Sequence, residues 1–316
     1  MKLLARLSWV MIALSVGACA NMQRAALPTH SFTEAHAFGA TALAFSPDGS
    51  LLASGGYRGE VILWDVPRHS RLATFRVHRG SIRALILAGN RSLISAADDG
   101  LLVVSDNVSR QIISQRKSIA VTSMILMGER LITGHTDGTL RQWRYPDLQP
   151  LQQTPLGSRV HALDYRAGKL AVATSHAIFL YDGTLRLLRK IDTGLRTAHD
   201  LHLSPDGKLL VAGNWFRMMI WDTESGAEHD QTTDHDGLIT SLDFSPDGKH
   251  LATLGRHTDS AVRVWRAAGL QLERNYQAHE LCGAMIRFSP DGRWLATASD
   301  DESVRLYDLN LPYKPQ

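Results

Sequence analysis

Apolar residues recur along this chain in short runs broken by turn signals, with the period-two alternation of strands rather than the three-to-four spacing of a helical face. The last such stretch is the clearest. Ile286-Arg287-Phe288 leads into Ser289-Pro290-Asp291-Gly292, then Trp294-Leu295-Ala296-Thr297-Ala298, then a second turn at Asp301, then Val304-Arg305-Leu306-Tyr307-Asp308. Proline pre-sets one turn torsion and glycine takes the positive φ, so this pattern predicts three antiparallel strands. The same Ser-Pro-Asp-Gly turn opens at Ser46, Ser204 and Ser245.

Seven copies of this unit follow one another. Their third strands end at Trp64, Ser105, Trp143, Tyr181, Trp221, Trp265 and Tyr307, 38 to 44 residues apart. A period near 40 with four strands per repeat predicts an all-β, seven-bladed propeller of four-stranded antiparallel blades. Units one to six are each followed by one more strand-like segment, such as Arg71 to Val77 or Gln271 to Tyr276. The seventh is not, because Pro312 and Pro315 discourage a strand there. His30 to Ala35 is therefore expected to close the ring as the seventh blade's outer strand, removing an exposed edge. The propeller is read as residues 29–310, with a tail at 311–316.

Four Ser-Pro-Asp-Gly turns and four Trp-Asp or Tyr-Asp strand ends resemble the WD-repeat (WD40) β-propeller family over essentially all of 29–310. The resemblance implies a structural relay in each blade: a His before the first strand, a Ser or Thr on the second, an Asp in the next turn and the Trp of the third. Unit six carries all four as His235, Thr253, Asp259 and Trp265. Unit seven has His279, Thr297 and Asp301, with Tyr307 for the Trp; unit one has His36, Ser54 and Trp64, with Arg58 where Asp belongs. Unit two has His78, Ser95 and Asp99 with Ser105 in the Trp position, and unit three has Thr133, Asp137 and Trp143 with Lys117 for the His. Units four and five lack both His and Asp and are expected to rest on apolar packing alone.

Candidate chemistry changes this picture little. The chain has no G-x-S-x-G elbow, phosphate-binding loop, H-E-x-x-H or C-x-x-C, so no catalytic role and no cofactor are expected. Alternation places His199 and His202 on opposite strand faces, which argues against a shared metal. The resemblance implies partner binding at one rim of the central channel. Counting from the relay His puts Arg83, Arg159, His161 and His199 there, a cationic mouth suited to an acidic peptide or an anion. Tyr57-Arg58 and Asn214-Trp215-Phe216-Arg217 add aromatics and arginine in turns that lack the relay Asp, and such side chains dominate protein interfaces. The expected activity is a non-catalytic platform for a protein or peptide partner, built on a monomeric propeller. A channel-bound small anionic ligand, or an enzymatic propeller, is the alternative.

The first 18 residues do not fit the repeat. Lys2 and Arg6 precede the apolar run Leu7 to Val16, and Gly17-Ala18 precede Cys19, which reads as a secretory signal too short to span a bilayer. Val16-Gly17-Ala18-Cys19 resembles the bacterial lipobox, which implies a signal at 1–18, acylation of Cys19 and a tether at 19–28. Ala20 after the Cys implies the periplasmic face of the outer membrane. Cleavage would remove two of 34 basic residues, leaving 32 against 31 acidic ones. With no basic run, nucleic acid is not an expected partner.

Overall fold

The computed structural model describes residues 25–194 and 196–315. Among them, 28 strands form seven four-stranded antiparallel sheets arranged as the blades of a propeller. Blade one runs from an inner strand, Ala40–Phe45, through Leu51–Gly56 and Glu60–Asp65 to an outer strand, Ser70–Arg76. Blades two to six repeat that order. In blade seven the chain supplies Gly283–Phe288, Trp294–Ser299 and Val304–Asp308, and the outer strand is His30–Phe32. His30 pairs with Leu306 and Phe32 with Val304, so the N-terminal segment closes the ring.

Each sheet is covered on both faces by its neighbours, which is why second and third strands read as nearly unbroken apolar runs. The core accordingly divides into seven clusters, one between each pair of adjacent blades. One register position holds leucine in every blade: Leu52, Leu93, Leu131, Leu170, Leu210, Leu251 and Leu295, all fully buried. Each pairs with the same position near the end of the third strand, Leu52 with Trp64 and Leu251 with Trp265, which is bulky in every blade but the second, where Leu93 faces Ser105. Complete burial of such a side chain contributes about 2–3 kcal/mol.

The ends are tied down beyond the expected boundaries. Ala26, inside the segment read as a tether, is buried and bridges Tyr276 on blade six, donating to the Asn275 carbonyl at 2.9 Å. Tyr313, inside the expected tail, donates its hydroxyl to the same carbonyl at 2.8 Å. The leader at 1–18 and Cys19 lie outside the described residues.

Two sets of β-bulges shape the molecule. Inner strands shift register at Thr41, Arg83, Thr122, His161, Thr240 and Ala284. Outer strands shift at Leu72, Ile113, Leu151, Leu188 and Glu273.

Candidate functional site

The relay is a hydrogen-bonded chain in several blades, and in blades one and three one of its members differs from those the sequence nominates. In blade six, His235 joins Asp259 at 2.7 Å and Thr253 at 2.8 Å, and Trp265 Nε1 donates to Thr253 at 2.8 Å. Burial pushes the His235 imidazole below its usual range, while the His235 and Arg263 neighbours hold Asp259 far below the usual carboxylate range against its own desolvation. In blade one the acid is not missing: Glu60, the first residue of the third strand, reaches His36 at 2.9 Å, and His36 and Trp64 share the Ser54 hydroxyl. The longer Glu side chain makes up for its later position, and Arg58 points elsewhere, stacking over Phe38.

Blade three replaces the loop histidine differently. His135, two residues after Thr133 on the same strand face, bonds that hydroxyl at 2.7 Å and the Ile119 carbonyl at 2.9 Å. The equivalent residues in blades one and six are Gly56 and Gly255, where an added Cβ would lie within 3 Å of the relay imidazole. A side chain fits at 135 because no histidine arrives from the preceding loop. In blade two, His78 bonds Ser95 at 2.8 Å and Asp99 at 3.1 Å, and Ser105 is not joined to it. In blade seven, His279 bonds Thr297 and Asp301 at 2.8 and 2.9 Å. Tyr307 fills the Trp position, its hydroxyl near Thr297 and Arg305 without a well-aligned bond.

Blades four and five are not held by apolar packing alone. Thr174 donates to the Ala177 carbonyl at 2.9 Å and Asn214 to the Thr197 carbonyl at 3.1 Å. Val172 and Ala212 stand where the relay hydroxyl belongs, and Trp221 Nε1 is consequently buried with no acceptor.

The inner strands enclose a central cavity of about 730 Å³, lined by Arg83, Arg159, His161 and His199 among others. The mouth carries less positive charge than its four residues suggest. Arg83 is held by both oxygens of Asp98 at 2.7 and 2.6 Å. Burial, followed by the His199 and Arg159 charges, lowers the His161 pKa to about 4, and burial and His257 lower that of His199. Both shifts favour the neutral imidazole. Arg159 alone of the four carries a charge outside any ion pair among the described residues.

His199 and His202 also do not take opposite faces, because the regular strand begins only at Leu201; both line the cavity. Deeper in it lies a cluster that sequence reasoning missed. Asp164, His202, Asp243 and Arg287 occupy one register position in blades four to seven, where blades one to three have Ala44, Ile86 and Ile125. Arg166 bonds Asp243 at 2.7 Å. Asp164 and Asp243 accept the Leu203 and Phe288 amides at 2.8 and 2.9 Å, clipping each blade to the next. Asp200 does the same through Ser241 at 2.8 Å. Burial raises the Asp164 pKa to about 6 and holds His202 well below its usual value, with neither ring nitrogen hydrogen-bonded. With His202 neutral, Asp164, Asp200 and Asp243 outnumber Arg166 and Arg287, so this end of the channel is a poor anion site.

Antiparallel order puts inner-strand starts and second-to-third turns at one end of every blade, on one face of the disc. On that face Trp215 is 44% and Phe216 53% exposed, and Trp215 stacks on His257 with ring centroids 5.3 Å apart. Arg217, also exposed, follows at the start of the third strand. Around the rim, Arg58 covers Phe38 at 4.3 Å, Phe38 being 61% exposed. Tyr57 donates to Asp300, which also pairs with Arg256 at 3.0 Å. Phe38 carried no signal in the repeat pattern; only its exposure identifies it. No group of three or more metal-ligating side chains is arranged to hold an ion among the described residues.

This geometry is that of a seven-bladed β-propeller with an aromatic rim on one face. Three of its segments, 27–65, 228–266 and 271–308, match the WD40 family model, "WD domain, G-beta repeat". The chain is similar to Protein HIR1 of Kluyveromyces lactis, 25% identical over 57% of this chain and 20% of that one. It is 24% identical to Periodic tryptophan protein 2 of Arabidopsis thaliana over 87% of this chain and 29% of that one. It is 34% identical to the small ribosomal subunit protein RACK1z of Oryza sativa subsp. japonica over 35% of this chain and 36% of that one. The matches thus span about a fifth to a third of those relatives' lengths.

Proposed function

We propose that this chain is a non-catalytic interaction platform, lipid-anchored in the bacterial envelope through Cys19, whose aromatic rim docks a protein or peptide partner. The observation that carries the reading is the exposed Trp215–Phe216–His257 group, with Arg58–Phe38 and Tyr57 on the same face. Large aromatics beside arginine are what interfaces desolvate on binding, and a fold with a rigid core leaves them in place at little entropic cost. The proposed location, the periplasmic face of the outer membrane, is supported by the sequence Val16-Gly17-Ala18-Cys19 for the anchor and by Ala20 after it for the outer membrane. Ala26, fixed to blade six, lies seven residues after Cys19, a reach of about 23 Å, so an anchored propeller would stay close to the bilayer.

The reading is tested by affinity capture of the full chain from solubilised envelopes, comparing the parent with Trp215→Ala and Phe216→Ala. A partner retained by the parent and lost by both variants supports it; retention by both contradicts it. Mass spectrometry of the mature N-terminus tests the anchor separately, an unmodified or absent Cys19 excluding it.

A further inference from the structure

The outer-strand bulges divide the propeller wall into two halves. In blades one to four the bulged residue is Leu72, Ile113, Leu151 or Leu188, one register position, each 46–53% exposed. Ile112 and Leu187 beside two of them are also about half exposed. Blade six has Glu273 at that position, paired with His250 at 3.4 Å, and blade five has no bulge. A bulge protects a sheet edge from pairing, and a charged side chain serves that purpose well. Edge protection accounts for the bulges and leaves the four aliphatic side chains unexplained.

Charge divides along the same line. The outer strands of blades one to four carry Arg71, Arg76, Arg116, Lys117, Arg189 and Lys190 against the single carboxylate of Asp192. Those of blades five and six carry Glu228 and Glu273 against Arg274. Arg116 and Arg189 donate to the Leu148 and Glu224 carbonyls of the following blades and Lys190 lies over Phe179, and none of the three is in an ion pair among the described residues.

We propose that this half-belt docks an extended, acidic protein segment with aliphatic residues at regular intervals, laid around the wall of blades one to four. Curvature selects the occupant. Seven blades turn the wall by about 50° each, so the outer strands of blades one and four face about 150° apart. A bilayer or a flat protein surface meets two blades at most; only a chain that wraps reaches all four leucine-type positions. Ala26 fixes the tether on blade six, roughly half a turn from blades two and three. If Cys19 is acylated, the reading on which this one point rests, the belt faces away from the membrane. A disc of this size has an outer radius of roughly 25 Å and an arc of about 20 Å per blade. At about 3.3 Å per residue, the segment would present an aliphatic side chain every six residues or so.

The test uses the full chain and two labelled synthetic peptides of about 26 residues in a Glu/Ser background, followed by fluorescence anisotropy. One has leucine at every sixth position; the other has the same composition with its leucines together at one end. The periodic peptide should bind at least roughly tenfold more tightly, since four linked weak contacts act together. The combined Leu72→Ser, Ile113→Ser, Leu151→Ser and Leu188→Ser variant should lose about that factor with its melting temperature unchanged, and Leu72→Ser alone should lose less. Trp215→Ala should bind the periodic peptide as the parent does, which separates this belt from the rim. Equal binding of the two peptides, or undiminished binding by the combined variant, would overturn the proposal. So would phosphatidylglycerol vesicles binding through the belt while neither peptide binds.

Discussion

A single hydroxyl organises each well-formed blade interior. Thr253 accepts from Trp265 and bonds His235, so Thr253→Val keeps the volume and leaves two buried polar groups facing a methyl. The expected cost is about 2–4 kcal/mol, read from the urea unfolding midpoint. Ala212→Ser is the converse change: it supplies the acceptor that Trp221 Nε1 lacks, at a position that takes Ser or Thr in five other blades. A gain of about 1 kcal/mol is expected, and a lower midpoint would contradict it. His161 provides a pH readout. Its folded pKa, about 4, lies below the ordinary imidazole value of 6.5, so the unfolded chain binds more protons between those values and stability falls as pH drops through that window. His161→Thr installs the residue found at Thr41, Thr122 and Thr240. The variant should match the parent at pH 7.5 and melt on the order of 2 °C higher at pH 5. The relay was legible wherever acid and histidine kept their usual offsets. Glu60 and His135 escaped because each reaches the same atoms from a different strand position.

At the scale of the element, the seventh blade depends on a strand more than 270 residues away in sequence from its partner. Phe32 stacks on Trp64 at 4.1 Å and so links the closing strand to blade one as well as to Val304. Phe32→Ala should cost about 3 kcal/mol. Deleting residues 25–36 should do more, opening the edge of Val304–Asp308 and removing His36 from blade one. A soluble deletion product with the parent's melting temperature would contradict this account of closure. Closure was legible because the last unit lacked a fourth strand. Where the tether ends was not: Ala26 lies in a stretch with no alternation, and only its bonds to Asn275 and Gln277 reveal it as part of the wall. The channel was misread for a related reason. Bulges at residues such as Arg83 and His161 break the period of two, so strict alternation misplaces every inner-strand residue beyond them. Asp164, His202, Asp243 and Arg287 fall into one ring only when the bulge is counted.

For the whole molecule, rigidity and display are separated. Seven interblade clusters and amide-to-carboxylate clips hold the disc, while the aromatics stay on one face and the aliphatic, basic belt on half of the wall. The channel is broad enough for a ligand, but a mouth with Arg159 as its one charge outside an ion pair among the described residues, and an acidic depth, leave little to attract an anion. The proposed platform therefore places its partner on the rim. Site-specific photocrosslinking of the full chain in intact envelopes tests that claim most directly, with the probe at Phe38, Trp215 or Phe216 on one face and at Lys208 or Lys249 on the other. The account predicts one common adduct from the three rim positions and none from the two opposite ones. An adduct from Lys208 or Lys249, with the rim positions silent, would contradict it.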